Sequence, residues 1–390
     1  MTNNRFQFFL FASCLAFVVL FLFFPLSKQR AICATVPYCD YRCLQLPCIT
    51  SPSPYSPTDA SARDACYPAI ANLFVRSLTT DKGIGWNPSY GEVRFLVSLF
   101  LAQLVAVVML SRWLQGNRWL TVVAVMLSPA LLSSLYRANP SGWSFALVGI
   151  FVCWYDSVTP TKRVAAAAAL GLATALKLTP CIWGVLYIAE APLCPREWRW
   201  REIFVASCSA LVLVFLPFAF FGGFASIPDF LGNAMAQAQY YSKDNPMWGF
   251  VDLVNRFSEV YAIPGAVDIA AWMTRLLSVV LVVSSCFAVE KYKKLLFLGS
   301  AMAFLVYHDY GGAYLIPAFF AWITNKHSEH SRLVIMMEAV AWFLMLTPFQ
   351  IPDFSSPYSI NQALQNESLF LLLVVSLFRN SVCRIYTLTN

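Results

Sequence analysis

Three short elements place ionisable groups among apolar residues. Arg137 stands in Tyr136-Arg137-Ala138-Asn139-Pro140, Lys177 in Lys177-Leu178-Thr179-Pro180, and His308 with Asp309 in His308-Asp309-Tyr310-Gly311-Gly312. Charge at membrane depth is costly, so such residues read first as functional. A cation there suits an anionic group, and a guanidinium can grip one through two parallel hydrogen bonds. Carboxylates able to accept a proton gather elsewhere. Residues 27–91 carry Asp40, Asp59, Asp64 and Asp81, with Cys33, Cys39, Cys43, Cys48, Cys66 and the proline-rich run from Ser51 to Pro57. A second polar segment, 222–266, holds Tyr240, Tyr241, Lys243, Asp244, Asn245 and Trp248.

What must position these groups is a membrane-embedded scaffold. The 390 residues are 59% hydrophobic and 12% charged, where soluble chains run at about 45–50% and about 25%. That excess excludes a cytosolic enzyme, a nucleic-acid binder and a secreted domain, and it requires lipid. Apolar stretches fall near 6–26, 93–111, 119–136, 142–156, 164–176, 178–189, 203–221, 267–289, 295–307, 312–324, 333–347 and 367–379. They predict an all-α polytopic membrane protein of about twelve transmembrane helices. Residues 6–26 exceed the apolar region of a signal peptide, and no small-x-small cleavage site follows, so they predict a retained first span.

The layout expected is a first transmembrane helix over 1–26, an outer loop over 27–91, a bundle over 92–221, a second outer loop over 222–266 and a C-terminal bundle over 267–390. Residues 67–79 alternate at helical spacing, which predicts an amphipathic helix in the first outer loop, lying on the membrane. Lys and Arg collect in the connections 158–163, 194–202, 291–294 and 326–332 and in the tails. By the positive-inside rule those segments and both termini are cytoplasmic. The net charge of +7 reports this topology and no nucleic-acid partner. The pairs 164–176/178–189 and 295–307/312–324 are short hairpins, with Lys177 and His308-Asp309 at their outer tips. Glu338, inside the 333–347 stretch, reads as a bundle carboxylate satisfied by a neighbour.

Soluble-enzyme signatures are missing: no Walker loop, no GxGxxG after a strand and no HExxH. Cys39, Cys43 and Cys48 do not keep zinc spacing, so a disulfide in an oxidising outer compartment fits them better, with at least one of the five loop cysteines unpaired. The scattered acids indicate no metal site, and no cofactor is expected. No internal repeat stands out, as many transporters would show.

The chain resembles glycosyltransferase family 87, the polyprenyl-phosphate-mannose-dependent mannosyltransferases of the GT-C superfamily. Asp40-Tyr41 is similar to the family's Asp-aromatic element. Pro54-Tyr55-Ser56-Pro57 with Tyr67-Pro68-Ala69 resembles its "PY-x-P … YPP" pattern. Ala173-Thr174-Ala175-Leu176-Lys177-Leu178-Thr179-Pro180 is close to its "AALKLTP", and His308-Asp309-Tyr310 resembles its late His-containing tip. Where the family usually has Gly-Gln-x-Asn, this chain has Asn139-Pro140-Ser141-Gly142.

The resemblance implies a GT-C-type bundle with a catalytic first outer loop, in the plasma (inner) membrane with its active site on the outer face. It implies inverting transfer of a hexose, mannose first among them, from a polyprenyl-phosphate sugar to a glycan or glycolipid acceptor. Such a transfer needs a carboxylate to deprotonate the incoming hydroxyl and cations to hold the leaving phosphate. Asp40, the first acid after the first span and at the family position, is the expected base; the bland alternative is a loop cap or a partner for Arg42. Arg137, Lys177 and His308 are the expected phosphate and donor ligands, although Lys177 could instead snorkel to the headgroups and His308 could be an interior hydrogen-bonded residue. Asp59, Asp64, Tyr240, Tyr241, Trp248 and Asp309 are weaker substrate-binding candidates; the aromatics could equally be membrane anchors. The rival reading is a polytopic lipid or oligosaccharide transporter or flippase, which needs charge on both gates; here the polar residues gather on one face. A non-catalytic scaffold subunit would not need polar hairpin tips.

Overall fold

The computed structural model describes residues 3–23, 55, 67–78, 90–114, 118–190, 198–239, 265–306, 309–325, 332–347 and 368–376. Among these residues the protein is all-helical, without strands. In chain order the helices are α1 (Asn3–Phe23), α2 (Ala69–Leu78), α3 (Tyr90–Ser111), α4 (Arg118–Met126), α5 (Pro129–Arg137), α6 (Ser141–Trp154), α7 (Pro160–Leu176), α8 (Val185–Glu190), α9 (Trp198–Phe215), α10 (Ile227–Gln239), α11 (Ala266–Phe287), α12 (Lys291–Val306), α13 (Ile316–Thr324) and α14 (Arg332–Leu346). A final helix, α15, covers 368–376. Each apolar stretch predicted from the sequence carries helix. Val93–Ser111, Trp200–Phe220 and Asp268–Phe287 are long and apolar enough to cross a membrane, and Arg118–Met126 with Pro129–Leu135, bent by 53°, has the form of a broken span or a re-entrant loop.

The helices fall into two compact units. One comprises Met1–Ala34, Leu110–Ser133 and Met247–Asn390; the other comprises Thr35–Met109 and Ser134–Pro246. In the first unit, α11 is arranged inside out relative to a water-soluble helix. Ile269, Trp272, Met273, Leu276, Val279, Val280 and Val283 recur at steps of three and four on its exposed face. The buried face carries Ala270, Ala271, Thr274 and Ser278, and the two hydroxyls are satisfied along their own helix, Thr274 on Ala270 O and Ser278 on Thr274 O, each at 2.8 Å. Apolar groups outward and small or polar groups inward suit a helix facing lipid. The same unit packs the Phe6, Phe319, Trp322 and Trp342 rings together. There Glu338 is fully buried and accepts the Trp322 indole N–H at 2.9 Å, which bears out its reading as a satisfied bundle carboxylate.

Both expected hairpins form, and each begins four residues earlier than its apolar stretch. Helices α7 and α12 start on the basic connections at Pro160 and Lys291, because a helix tolerates charges at its solvated end where a hydropathy count stops. Their 17 and 16 residues give about 25 Å each. Each return leg opens as a 3-10 helix, Thr179–Gly184 or Asp309–Leu315, before relaxing into α8 or α13. Six- and seven-residue 3-10 runs are unusually long and tend to occur where a helix is constrained. In the first hairpin the cause is local. Pro180 has no N–H and would collide with the Leu176 carbonyl if α7 ran on, so Lys177 turns extended (φ −155°, ψ 119°).

The first hairpin belongs to the second unit, where α7 lies against α9. Ala167, Gly171 and Ala175 form a buried stripe of small residues at four-residue steps on α7. A Cβ on Gly171 would stand 1.9 Å from Ser209 Oγ and 2.8 Å from Ala206 O, so the two backbones approach as closely as small residues permit. At the beginnings of both helices Arg163 Nε donates to Glu202 Oε1 at 2.7 Å, and Arg163 Nη1 also donates to Ser157 O and Val158 O. The sequence had placed Arg163 in an exposed basic connection; the side chain is instead nearly buried, as is Glu202. This pair brings residues 158–163 and the beginning of α9, at Glu202, to the same end of the two helices.

Helix α2 forms within the segment 67–79. Its Ile70, Ala71 and Val75 are buried with Phe95, Leu99, Trp143 and Leu176, so its apolar face packs on protein. Trp143 of α6 is flanked by the rings of Phe95 at 4.8 Å and Phe74 at 5.6 Å.

Candidate functional site

The site grows from the end of α5 and the beginning of α6. Helix α5 closes with two hydrogen bonds, Ala138 N–H to Leu135 O and Asn139 N–H to Ser134 O, both at 2.9 Å. That is the Schellman pattern, which needs a left-handed residue where Ala138 stands, and Ala138 has φ 52°. Glycine is the usual occupant, so the alanine stores local strain. Arg137 is thereby the last residue of the helix, buried to 4% exposure, its positive charge at the negative end of the helix dipole.

The turn delivers Asn139 to the start of α6. Asn139 Oδ1 accepts the Ser141 backbone N–H at 2.8 Å, and Pro140, just before α6, already has helical dihedrals (φ −58°, ψ −14°), an Asn-then-Pro opening that satisfies a free helix donor and presets φ. Gly142 lets α6 begin tight against α3, since a Cβ there would lie 2.6 Å from both Gln103 Nε2 and Leu99 Cδ1. Gln103 Nε2 in turn donates to Ser134 Oγ at 3.1 Å.

Onto this corner comes the tip of the first hairpin. Lys177 Nζ donates to Ser141 Oγ at 2.8 Å, and Ser141 Oγ donates a short hydrogen bond to Asn139 Oδ1. Asn139 Nδ2 donates to Tyr67 OH at 2.9 Å. The amide orientation is settled by chemistry: its oxygen faces the Ser141 N–H, which can only donate. Tyr67 is held from behind as well. Tyr55 OH donates to Tyr67 O at 3.0 Å and accepts from Asn72 Nδ2 at 2.7 Å. Tyr55 itself is fully buried, its ring against Phe218 and Phe230 and its carbonyl accepting from Asn233 Nδ2 at 3.3 Å.

The structure thus joins three sequence elements that lie far apart in the chain: Tyr55 with Tyr67, the Asn139-Pro140-Ser141 corner, and Lys177. Arg137 stands two residues before Asn139 in the chain, at the end of α5. Lys177 is half-buried at its tip, and a serine hydroxyl accepts from its ammonium. Sequence reasoning had met Asn139 and Ser141 only as a departure from the family's Gly-Gln-x-Asn and gave them no role; the Asn-Pro start of a helix was the signal that could have found them. Asp40, Asp59, Asp64, Tyr240, Tyr241, Trp248 and His308 lie outside the described residues, as do the five loop cysteines; of Asp309 only the backbone, in its 3-10 helix, is described. Among the described residues no group of three or more His, Cys, Asp or Glu side chains could hold a metal ion.

The model of glycosyltransferase family 87 matches residues 67–308, more than half of the chain. The match opens at Tyr67, takes in Arg137 and Lys177 and closes at His308; Asp40, Asp59 and Asp64 precede it. No curated protein and no solved structure matches the chain.

Proposed function

The chain belongs to glycosyltransferase family 87, and from that membership we propose an inverting hexose transfer, mannose first among the sugars, from a polyprenyl-phosphate donor to a glycan or glycolipid acceptor. The site faces the outer side of the plasma membrane, both termini are cytoplasmic, and the scaffold is a GT-C-type bundle of about twelve spans. The observation that carries the reading is the anchoring of Lys177 on Ser141 at a helix-break tip. A cation held there suits a phosphate whose charge grows as its bond to the sugar breaks, and Arg137, buried at the end of α5, is the second cation the family likeness offers.

In this mechanism Asp40 takes the proton of the acceptor hydroxyl as its oxygen attacks the anomeric carbon. The bond from that carbon to the phosphate oxygen breaks on the opposite face, and the lipid phosphate leaves against Lys177, Arg137 and His308. Tyr240, Tyr241 and Trp248 stack on the sugars, Asp309 orients its neighbour, and Asp59 and Asp64 line the approach. No metal is needed, because the cations neutralise the leaving group.

A charged hydrogen bond contributes about 1.5–3 kcal/mol, so Lys177→Ala should lower transfer by about 10- to 150-fold while the purified protein keeps its melting temperature. Wild-type kinetics would return Lys177 to the role of a snorkelling lysine. Asp40→Asn keeps the shape and loses the base; donor binding should persist while turnover falls by about 10²–10⁴-fold. Asp59→Asn and Asp64→Asn, assayed beside it, should each change turnover less than about tenfold, short of the loss of a general base. Should either of them abolish turnover while Asp40→Asn does not, the base lies there instead.

A further inference from the structure

We propose that Asn139 is a positioning residue that couples Tyr67, two residues before α2, to Lys177 through Ser141. The inference rests on the reading of Lys177 as a phosphate-binding cation and adds to it what holds the ammonium in place.

Four side chains from three separate stretches make one directed series. Lys177 donates to Ser141, Ser141 to Asn139, and Asn139 to Tyr67. Successive donors in one direction polarise each other, and in a low-dielectric interior each bond gains from the next. Asn139 is fully buried, and its turn is enforced by the left-handed Ala138, so its amide cannot drift. Tyr67 is fixed at two points, its carbonyl by Tyr55 and its hydroxyl by Asn139. A lysine on a flexible four-carbon stem otherwise spreads over many rotamers. Here its ammonium is referred to a tyrosine 110 positions earlier in the chain, so the seating of residue 67 sets where the cation stands when phosphate arrives.

Asn139 also caps α6, and a test must separate the two roles. Asn139→Ser keeps a good helix cap and loses the donor to Tyr67. Tyr67→Phe leaves the cap and backbone untouched and removes the acceptor, so it carries the test even if Asn139→Ser folds poorly. The full-length protein in neutral-lipid nanodiscs is titrated with radiolabelled polyprenyl phosphate and, separately, with the uncharged polyprenol. Each variant is measured alone and on a Lys177→Ala background, with melting temperature alongside.

Losing one hydrogen bond of ordinary strength should weaken polyprenyl phosphate binding about two- to tenfold, leave polyprenol binding unchanged, and have no further effect once Lys177 is gone. Wild-type phosphate binding in both variants, with Lys177→Ala impaired, overturns the coupling and leaves the phosphate reading standing. Equal loss for phosphate and polyprenol, or equal loss with and without Lys177, overturns it too and reduces Asn139 to a cap. Wild-type phosphate binding in Lys177→Ala itself overturns the reading beneath it.

Discussion

In the hairpin 160–190 the glycine of the long helix, Gly171, faces a neighbouring helix; in the hairpin 291–324 its counterpart, Gly299, faces the hairpin's own return leg. A Cβ on Gly299 would stand 2.5 Å from Tyr314 O and 3.2 Å from Leu315 Cα. The second hairpin is therefore closed on itself, and its return leg from Ala313 to Ile323 is buried throughout. In the first, a Cβ on Gly184 would lie an ordinary 3.8 Å from Leu170 Cδ2, Cys181 and Leu178 are exposed and Ile182 and Val185 only half-buried. The bases differ in the same sense. The first is locked by the buried Arg163–Glu202 pair, the second by Lys293 and Asn325 meeting a partly exposed Glu290 at 3.3 and 3.4 Å. The same order of long helix, 3-10 turn and short helix serves as packed framework in one unit. In the other it is held firmly at its base and side, and its tip seats Lys177 against Ser141.

The comparison breaks most directly at the bases. Removing one partner of a buried ion pair strands the other charge, so Arg163→Ala should destabilise by about 3–5 kcal/mol, read as a lowered midpoint of thermal unfolding in detergent or nanodiscs. A much smaller change would mean that Glu202 finds water or another donor.

The next largest effect concerns the glycines. Gly299→Ala drives a methyl into a backbone carbonyl and should cost about 1–3 kcal/mol, with no single side-chain change restoring it. Gly171→Ala should cost a similar amount, but its worst contact is a serine hydroxyl, so adding Ser209→Ala should recover part of the loss. If Ser209→Ala rescues nothing, the distinction between side-chain and backbone contact fails.

Relieving the left-handed alanine should work in the opposite direction. Ala138→Gly is expected to stabilise by about 0.5–1 kcal/mol, less any loss through the greater freedom of the unfolded chain; unchanged or lowered stability would show the turn unstrained.

The smallest effect belongs to the second base. Lys293→Ala removes an i,i+3 pair whose lysine is buried but whose carboxylate is a third exposed; Glu290 can then take water, so the lost ion pair should contribute at most about 1 kcal/mol. A loss as large as that of Arg163→Ala would erase the contrast between the two hairpins.

What the sequence by itself determined is what short-range physics decides. Hydropathy marked most of the helices, but α10 (Ile227–Gln239) lies in the segment 222–266 that read as an outer loop. Pro180 ended α7 at Lys177, and the 3.6-residue rhythm of 67–79 announced α2. The family likeness was legible too, through Lys177-Leu178-Thr179-Pro180 and the order of elements around it. Only the tertiary structure decided which side chains meet. Asn139-Pro140-Ser141 read as a departure from the family pattern, yet it is the corner that receives Lys177 and holds Tyr67. Arg163 read as a topological signal, yet it is buried against Glu202 across α7 and α9. Those partners lie 36, 72 and 39 positions apart. Hydrogen bonds over such separations leave no local periodicity, because they follow from how closely the small faces of helices such as α7 and α9 allow their backbones to approach.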